Sequence, residues 1–309
     1  MAPAPVVAFL GPEGTFTSEA ARRAAPGADR RPLPTIEEVV QAVRAGVVDL
    51  GVVPIENSIE GSVNLTLDTL AFGPPGVDIR GEVLLPISMS LLARPGVAVD
   101  AVKAVRSQPH ALAQCRGWLL RHLPAAALEA ATSTAEAARH VAETTDAVAA
   151  LGTSFAGERY GLRVLAADVQ DHGGNTTRFA TLGAGMAPPT GRDKTSLVVF
   201  FGEDRPGLLL RILDEFALRG INLTKVESRP TKQQLGQYCI FIDCAGHVGE
   251  ARLGETLRGV HRHVAQLRVL GSYPRADGVH DPPRPADSDD AYARAASWYS
   301  ALLERVAPP

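Results

Sequence analysis

The run Asn175-Thr176-Thr177-Arg178-Phe179 sets an amide, hydroxyls, a guanidinium and an aromatic ring in consecutive positions where an apolar stretch begins. A hydroxyl is a short hydrogen-bond donor, a guanidinium grips a carboxylate through two parallel bonds, and a ring supplies a dry wall. These are the parts needed to hold an anionic substrate and ease a hydroxyl away from it. Alone the run is a weak motif, because the same residues in a strand commonly mean one buried ring and two solvated groups.

Three upstream segments accompany it: Gly11 to Thr17, Pro54 to Ser58 with Gly61 and Ser62, and Ser107 to Gln114. In this order, with residues 175–179, they resemble the prephenate dehydratase family. Glu227-Ser228-Arg229-Pro230 resembles the phenylalanine-sensing motif of the ACT-type regulatory domain that follows that enzyme. The resemblance spans nearly all of residues 4–273.

The substrate it implies, prephenate, is a cyclohexadiene with a ring carboxylate, a pyruvyl carboxylate and a hydroxyl across the ring. Losing carbon dioxide and the hydroxyl together makes the ring aromatic, so no cofactor or metal is expected. The resemblance makes Thr177 the catalytic hydroxyl at the leaving oxygen and Arg178 the holder of a carboxylate. Phe179 either shapes the wall or packs in the core. A threonine is too weak an acid to supply the proton unaided; Glu56, kept protonated in a cleft, is one source, and orientation of a neighbour is its other role.

Asn57, Ser107, Gln114 and Asn175 are polar groups at strand ends that would orient the carboxylates and the pyruvyl oxygen; the first three match family positions tied to binding or catalysis. Ser133 and Thr134 open a helix whose free N–H groups suit an anion, with ordinary capping as the alternative. The turn from Gly11 to Thr17, Thr15 included, would bring backbone N–H groups to a carboxylate. For the effector, resemblance points to Glu227, Ser228, Arg229 and Pro230 with Gly207, Leu208, Leu209, Asn222 and Leu223, at a subunit interface.

Two departures stand out. The family usually reads Ser-His-Pro-Gln where this chain has Ser107-Gln108-Pro109-His110, so a role of the family's histidine does not transfer to His110 by resemblance. Where the family commonly reads Gly-Ala-Leu-Val, this chain has Gly207 followed by Leu208, Leu209 and Leu210, which adds bulk at position 208.

The elements that must carry these residues follow from length and pattern. At 309 residues, 45% of them apolar, the chain exceeds one ordinary core. A net charge of −3 with no basic run excludes the field that nucleic-acid binding needs. The three cysteines, Cys115, Cys239 and Cys244, lack zinc or redox spacing and read as reduced thiols of a cytoplasmic protein. No apolar run is long enough to span a bilayer, and Val6 to Leu10 reads as a first strand rather than a signal segment.

From residue 4 to about 185, strands alternate with helices in the manner of parallel α/β units. Thr17 or Ser18 is placed to cap the first helix, Thr35 and Ser133 begin capping boxes, and one helix is expected from Pro109 to His122. Val83 to Leu92 reads as strand material and Ser154 as a helix cap rather than a nucleophile. The expected fold is α/β: a two-lobed catalytic domain resembling periplasmic binding proteins over residues 1–186, its lobes 1–80 with 163–186 and 81–162. A linker at 187–193 and a ferredoxin-like βαββαβ ACT domain at 194–272 follow. Residues 273–309 form a polar tail and an amphipathic helix with the stripe Tyr292, Ala296, Tyr299, Leu303 and Val306, expected to dock on the chain's own domains or a partner subunit.

The expected activity is dehydrative decarboxylation of prephenate to phenylpyruvate, regulated by L-phenylalanine in a homodimer or homotetramer. Arogenate dehydration and a non-catalytic sensor of aromatic amino acids are the alternatives.

Overall fold

A computed structural model describes residues 4–202, 205–232, 234, 236–280 and 282–306. The apolar runs at either side of the glycine turn become parallel strands. β1 (Val6–Leu10) pairs with β2 (Asp29–Leu33) and β3 (Leu50–Asn57), and α1 (Phe16–Ala24) and α2 (Ile36–Arg44) are the crossovers. Thr35 caps α2 as expected, accepting from the Glu38 N–H at 3.1 Å. β4 (Gly61–Ser62) folds back on the end of β3, and α3 (Asn64–Phe72) and β5 (Asp78–Pro86) follow.

The second lobe contains β6 (Ser90–Ala93), β7 (Ala104–Ser107), α4 (Pro109–Gln114), α5 (Arg116–His122), β8 (Ala127–Ala130), α6 (Thr134–Glu143), β9 (Val148–Gly152), α7 (Ser154–Tyr160) and β10 (Arg163–Ala166). Its sheet runs β10-β6-β9-β7-β8. β9 is buried along its whole length, which accounts for its unbroken apolar sequence. The chain then returns to the first lobe as β11 (Thr176–Gly183), antiparallel to β3.

Several element ends differ from expectation, each for a local reason. Thr15, not Thr17 or Ser18, caps α1; its hydroxyl accepts from the Ser18 N–H at 3.2 Å. The helix expected from Pro109 to His122 breaks at Cys115, and Asp171 accepts from the freed N–H groups of Gly117 and Trp118 at 2.7 and 2.8 Å. Thr153 caps α7 in place of Ser154. Val83 to Leu92 is the end of one strand and the start of another, interrupted at 87–89.

The described residues form two units, one of residues up to 69 with 83–183, the other of 70–82 with those from 184 onward. In the second, β12 (Asp193–Phe200), α8 (Leu208–Ala217), β13 (Leu223–Pro230), β14 (Tyr238–Ala245), α9 (Ala251–His261) and β15 (Gln266–Pro274) make the βαββαβ order, with an antiparallel sheet β13-β14-β12-β15. Leu197, Val199, Ile240 and Ile242 pack on Ile212 and Phe216 of α8 and on Leu253 and Val260 of α9. Residues 70–82 are held against this sheet. Gly271 meets Ile79 so closely that a Cβ would lie 2.2 Å from the Ile79 carbonyl oxygen, and the Arg268 guanidinium donates to the carbonyls of Ala71 and Gly73 at 3.0 and 2.6 Å.

The tail ends in α10 (Asp289–Leu303), capped by Ser288. Asp289 accepts from the Ala251 N–H at 2.7 Å, but Trp298, Tyr299, Leu303 and Val306 are exposed. The expected docking on the chain's own domains is thus confined to the first turn of the helix. No helix of the described residues is long and apolar enough to cross a membrane.

Lys194 Nζ lies 3.0 Å from both carboxylate oxygens of Glu82, and both side chains are nearly fully buried. Removing one partner of such a pair strands the other charge, at a cost of about 3–5 kcal/mol. Glu82→Gln is therefore expected to lower the denaturant midpoint markedly, and a midpoint within error of the parent's would show that the pair contributes nothing.

Candidate active site

Strand pleating sorts the motif residues. Thr177 pairs with Asn57 and Arg178 with Glu56 across the β11–β3 ladder. Successive side chains on a strand leave opposite faces, so the hydroxyl and the guanidinium diverge. Thr177, Asn57 and Asn175 line a cavity of about 390 Å³ between the lobes of the first unit. Asn57 Nδ2 donates to Thr177 Oγ1 at 2.9 Å and to Asn175 Oδ1 at 2.7 Å. Because Thr177 accepts from Asn57, the hydrogen of its own hydroxyl is the part it can present to a ligand.

Arg178 and Glu56 form an ion pair of 3.1 Å on the other face, and neither is among the cavity-lining residues. The expected direct grip of Arg178 on a carboxylate, and the expected donation from Glu56, do not fit this placement; the pleat is the reason. A bulge after Arg178 then turns Phe179 into the core with Val7, Phe9 and Val52, where it is 2% exposed, so it packs rather than forming a wall. Ser107 is likewise fully buried at the end of β7, its hydroxyl donating to the Leu151 carbonyl at 2.8 Å, outside the lining.

Two helix N-termini face the same cavity. Thr15, Phe16 and Thr17 open α1, and Thr132, Ser133 and Thr134 precede and open α6. Ser133 is used as a cap, accepting from the Glu136 N–H at 3.0 Å. The expected capping box is modified: Glu136 reaches back to the hydroxyl and the N–H of Thr132, and these bonds hold its carboxyl below the usual carboxylate range. The first-turn N–H groups of both helices present partial positive charge to an anion.

The turn before α1 is fixed from the second lobe. Thr153 Oγ1 donates to the Gly14 carbonyl at 3.1 Å, Tyr160 Oη to the Glu13 carbonyl at 3.0 Å, and Arg159 Nε to the Glu13 carboxylate at 2.7 Å. Gly14 has φ +83°, and a Cβ there would meet the Tyr160 ring at 3.0 Å, so both backbone and space call for glycine.

Sequence reasoning missed part of the lining. Ile87 and Met89 enter because the strand is interrupted at 87–89, with the Ile87 N–H donating to the Asn175 carbonyl at 2.8 Å. Glu60, Gln108 and His110 line the cavity beside the expected Gln114. Glu60 lies three residues beyond Asn57, a spacing that signalled a turn, and its N–H donates to Asn57 Oδ1 at 3.1 Å. Cys115, next to this wall, is fully buried, and burial first, then Asp171, pushes its thiol up to about 12, which removes it as a nucleophile.

In the second unit, Gly207, Leu208 and Leu209 line a cavity of about 470 Å³ at the start of α8, with Phe201, Pro206 and Leu213. Glu227 to Pro230 end β13, the edge strand, away from that lining; Glu227 pairs with Lys225 at 3.3 Å and with Arg229 at 3.5 Å. Asn222 and Leu223 sit at the opposite end of β13, where the Asn222 carbonyl accepts from Ala245 N–H at 2.9 Å.

Comparison with known proteins agrees with this architecture. The family model described as prephenate dehydratase matches residues 7–187, and that of the ACT domain matches 195–262. A prephenate dehydratase of Mycobacterium marinum is 42% identical over 310 aligned positions, covering 96% of each chain. The crystal structure of a prephenate dehydratase in complex with L-Phe from Arthrobacter aurescens superposes with a TM-score of 0.88 at 41% identity, covering 97% of this chain and 99% of that one. A structure described as a novel type of quorum quenching acylase gives a TM-score of 0.79 at 29% identity, covering 88% and 98%. With more than half of its length matched by the catalytic-domain model and its full-length relative well above 30% identity, the chain belongs to the prephenate dehydratase family.

Proposed function

We propose that the interlobe cavity binds prephenate and converts it to phenylpyruvate, carbon dioxide and water, with Thr177 hydrogen-bonding to the departing oxygen. The observation that carries this reading is the 2.9 Å bond from Asn57 to Thr177 inside a cavity onto which two helix N-termini open. The bond orients the hydroxyl, and the helix starts at Thr15 and at Ser133–Thr134 receive the two carboxylates through backbone N–H groups. Gln114 and Asn175 hold the remaining polar atoms of the substrate. Arg178 and Glu56 act on the far face by fixing the register of β3 and β11, which sets Thr177 opposite Asn57.

The geometry favours lyase chemistry over acyl transfer. A nucleophilic threonine needs a base to take its proton, and the Asn57 amide that bonds to Thr177 is not one. Prephenate and arogenate differ only by a keto group or an amine, and purified protein supplied with each separates the two readings. Phenylpyruvate from prephenate supports the proposal; neither phenylpyruvate nor phenylalanine appearing favours a sensor.

L-phenylalanine is proposed as the effector, taken by the second unit at the α8 cavity together with Glu227 to Pro230 supplied by another subunit. The exposed β13 edge and the exposed stripe of α10 support a homodimer or homotetramer.

Three outcomes are expected. Thr177→Ala lowers kcat by about 10²-fold while KM changes little, as for loss of one preorganised donor; an unchanged kcat reassigns the hydroxyl to structure. Glu56→Gln costs about 1–3 kcal/mol of stability, less than a fully buried pair because Glu56 is 35% exposed, and leaves measurable turnover; turnover abolished in a folded variant would return Glu56 to the chemistry. Leu208→Ala enlarges the α8 cavity and lowers the phenylalanine concentration that gives half-maximal response, whereas an unaltered dose curve would place the effector elsewhere.

A further inference from the structure

The reaction needs a proton, because hydroxide leaves as water. Among the described residues that line the interlobe cavity, Glu60 and His110 are the only carboxyl and imidazole, and they touch each other. Glu60 belongs to the loop between β3 and β4 in one lobe, and His110 to α4 in the other. Glu60 Oε1 contacts His110 Nε2, and Gln114, one helical turn on, brings its side-chain amide to 2.7 Å from the same nitrogen. A carboxylate can only accept, so this contact puts a hydrogen on Nε2, and the Gln114 amide nitrogen donates to the same Glu60 oxygen at 3.5 Å. Nδ1 is the ring nitrogen that Glu60 does not hold.

Glu60 is tied to the catalytic hydroxyl as well. Its N–H donates to Asn57 Oδ1, and the same Asn57 side chain donates to Thr177. One asparagine thus sets the carboxylate that holds the imidazole and the hydroxyl that meets the leaving oxygen.

We propose that His110 is the acid of the reaction and Glu60 its positioning residue, an inference that rests on the prephenate dehydratase reading. The ring carbon–carboxylate bond breaks and its electron pair enters the ring as carbon dioxide departs. The carbon–oxygen bond across the ring breaks, and that oxygen takes the Nδ1 proton and leaves as water. His110 is about half exposed, so solvent restores the proton. Other charged groups around α4 are directed elsewhere: Arg106 of β7 is paired with Glu129, Asp171 accepts from Gly117 and Trp118, and β9 has no charged residue. In α5, Arg116 lies in the first turn and Arg121 and His122 in the last.

Gln108 lines the same cavity from the other side of Pro109. Exchange about the proline therefore keeps an imidazole in the cavity, and it supplies a rescue test. Rates with prephenate are measured against pH for the parent, His110→Gln, Glu60→Gln and the double variant Gln108→His/His110→Gln. The parent is expected to lose kcat/KM at alkaline pH. His110→Gln should lower kcat by about 10²-fold with KM within threefold and abolish that alkaline limb. Glu60→Gln, which removes the partner that fixes the ring, should lower kcat with KM within threefold. The double variant should regain both rate and limb.

A rise in KM alone, an unchanged profile in His110→Gln, or no recovery in a folded double variant overturns the inference while leaving the dehydratase reading intact. A parent that forms no phenylpyruvate overturns both.

Discussion

The register of β11 against β3 is the constraint on which the site depends. With Thr177 opposite Asn57, the pleat sends both side chains into the cavity and sends Arg178 and Glu56 to the far face. A slip of β11 by one residue would turn Arg178 inward in place of Thr177 and remove the oriented hydroxyl. The Arg178–Glu56 ion pair and the bulge that turns Phe179 into the core both act against such a slip.

No arginine or lysine is among the described residues that line the cavity. The opening turns of α1 and α6 face it instead, fixed dipoles that need no side-chain reorganisation to present partial positive charge. The contacts of Thr153, Arg159 and Tyr160 with Glu13 and Gly14 hold one of those turns from the second lobe. The half-exposed Glu60–His110 pair lines the same cavity.

The sequence made much of this legible, and the losses have identifiable causes. The βαββαβ order of the second unit could be read because β12 and β14 are largely apolar and its helices amphipathic. β2 could not: Asp29 to Leu33 carries two arginines and a proline on a sheet edge, and contains no alternation to detect. α3 escaped because its apolar residues are spread around the helix rather than gathered in a stripe. Within the site, Thr177, Asn57, Asn175 and Gln114 were recognisable from motif and position. The diversion of Arg178 and Glu56 was in principle available from strand period, since neighbours on one strand cannot share a face. The entry of Ile87, Met89, Glu60 and His110 was not, because it depends on how two lobes meet.

The coupling between Asn57 and Thr177 is best measured by a double-mutant cycle on kcat with prephenate, using Asn57→Ala, Thr177→Ala and the pair together. If Asn57 acts by orienting the hydroxyl, the double variant should be no more than about threefold slower than the slower single variant. Losses that multiply would mean that the two side chains act independently, and the bond between them would not be the centre of the site.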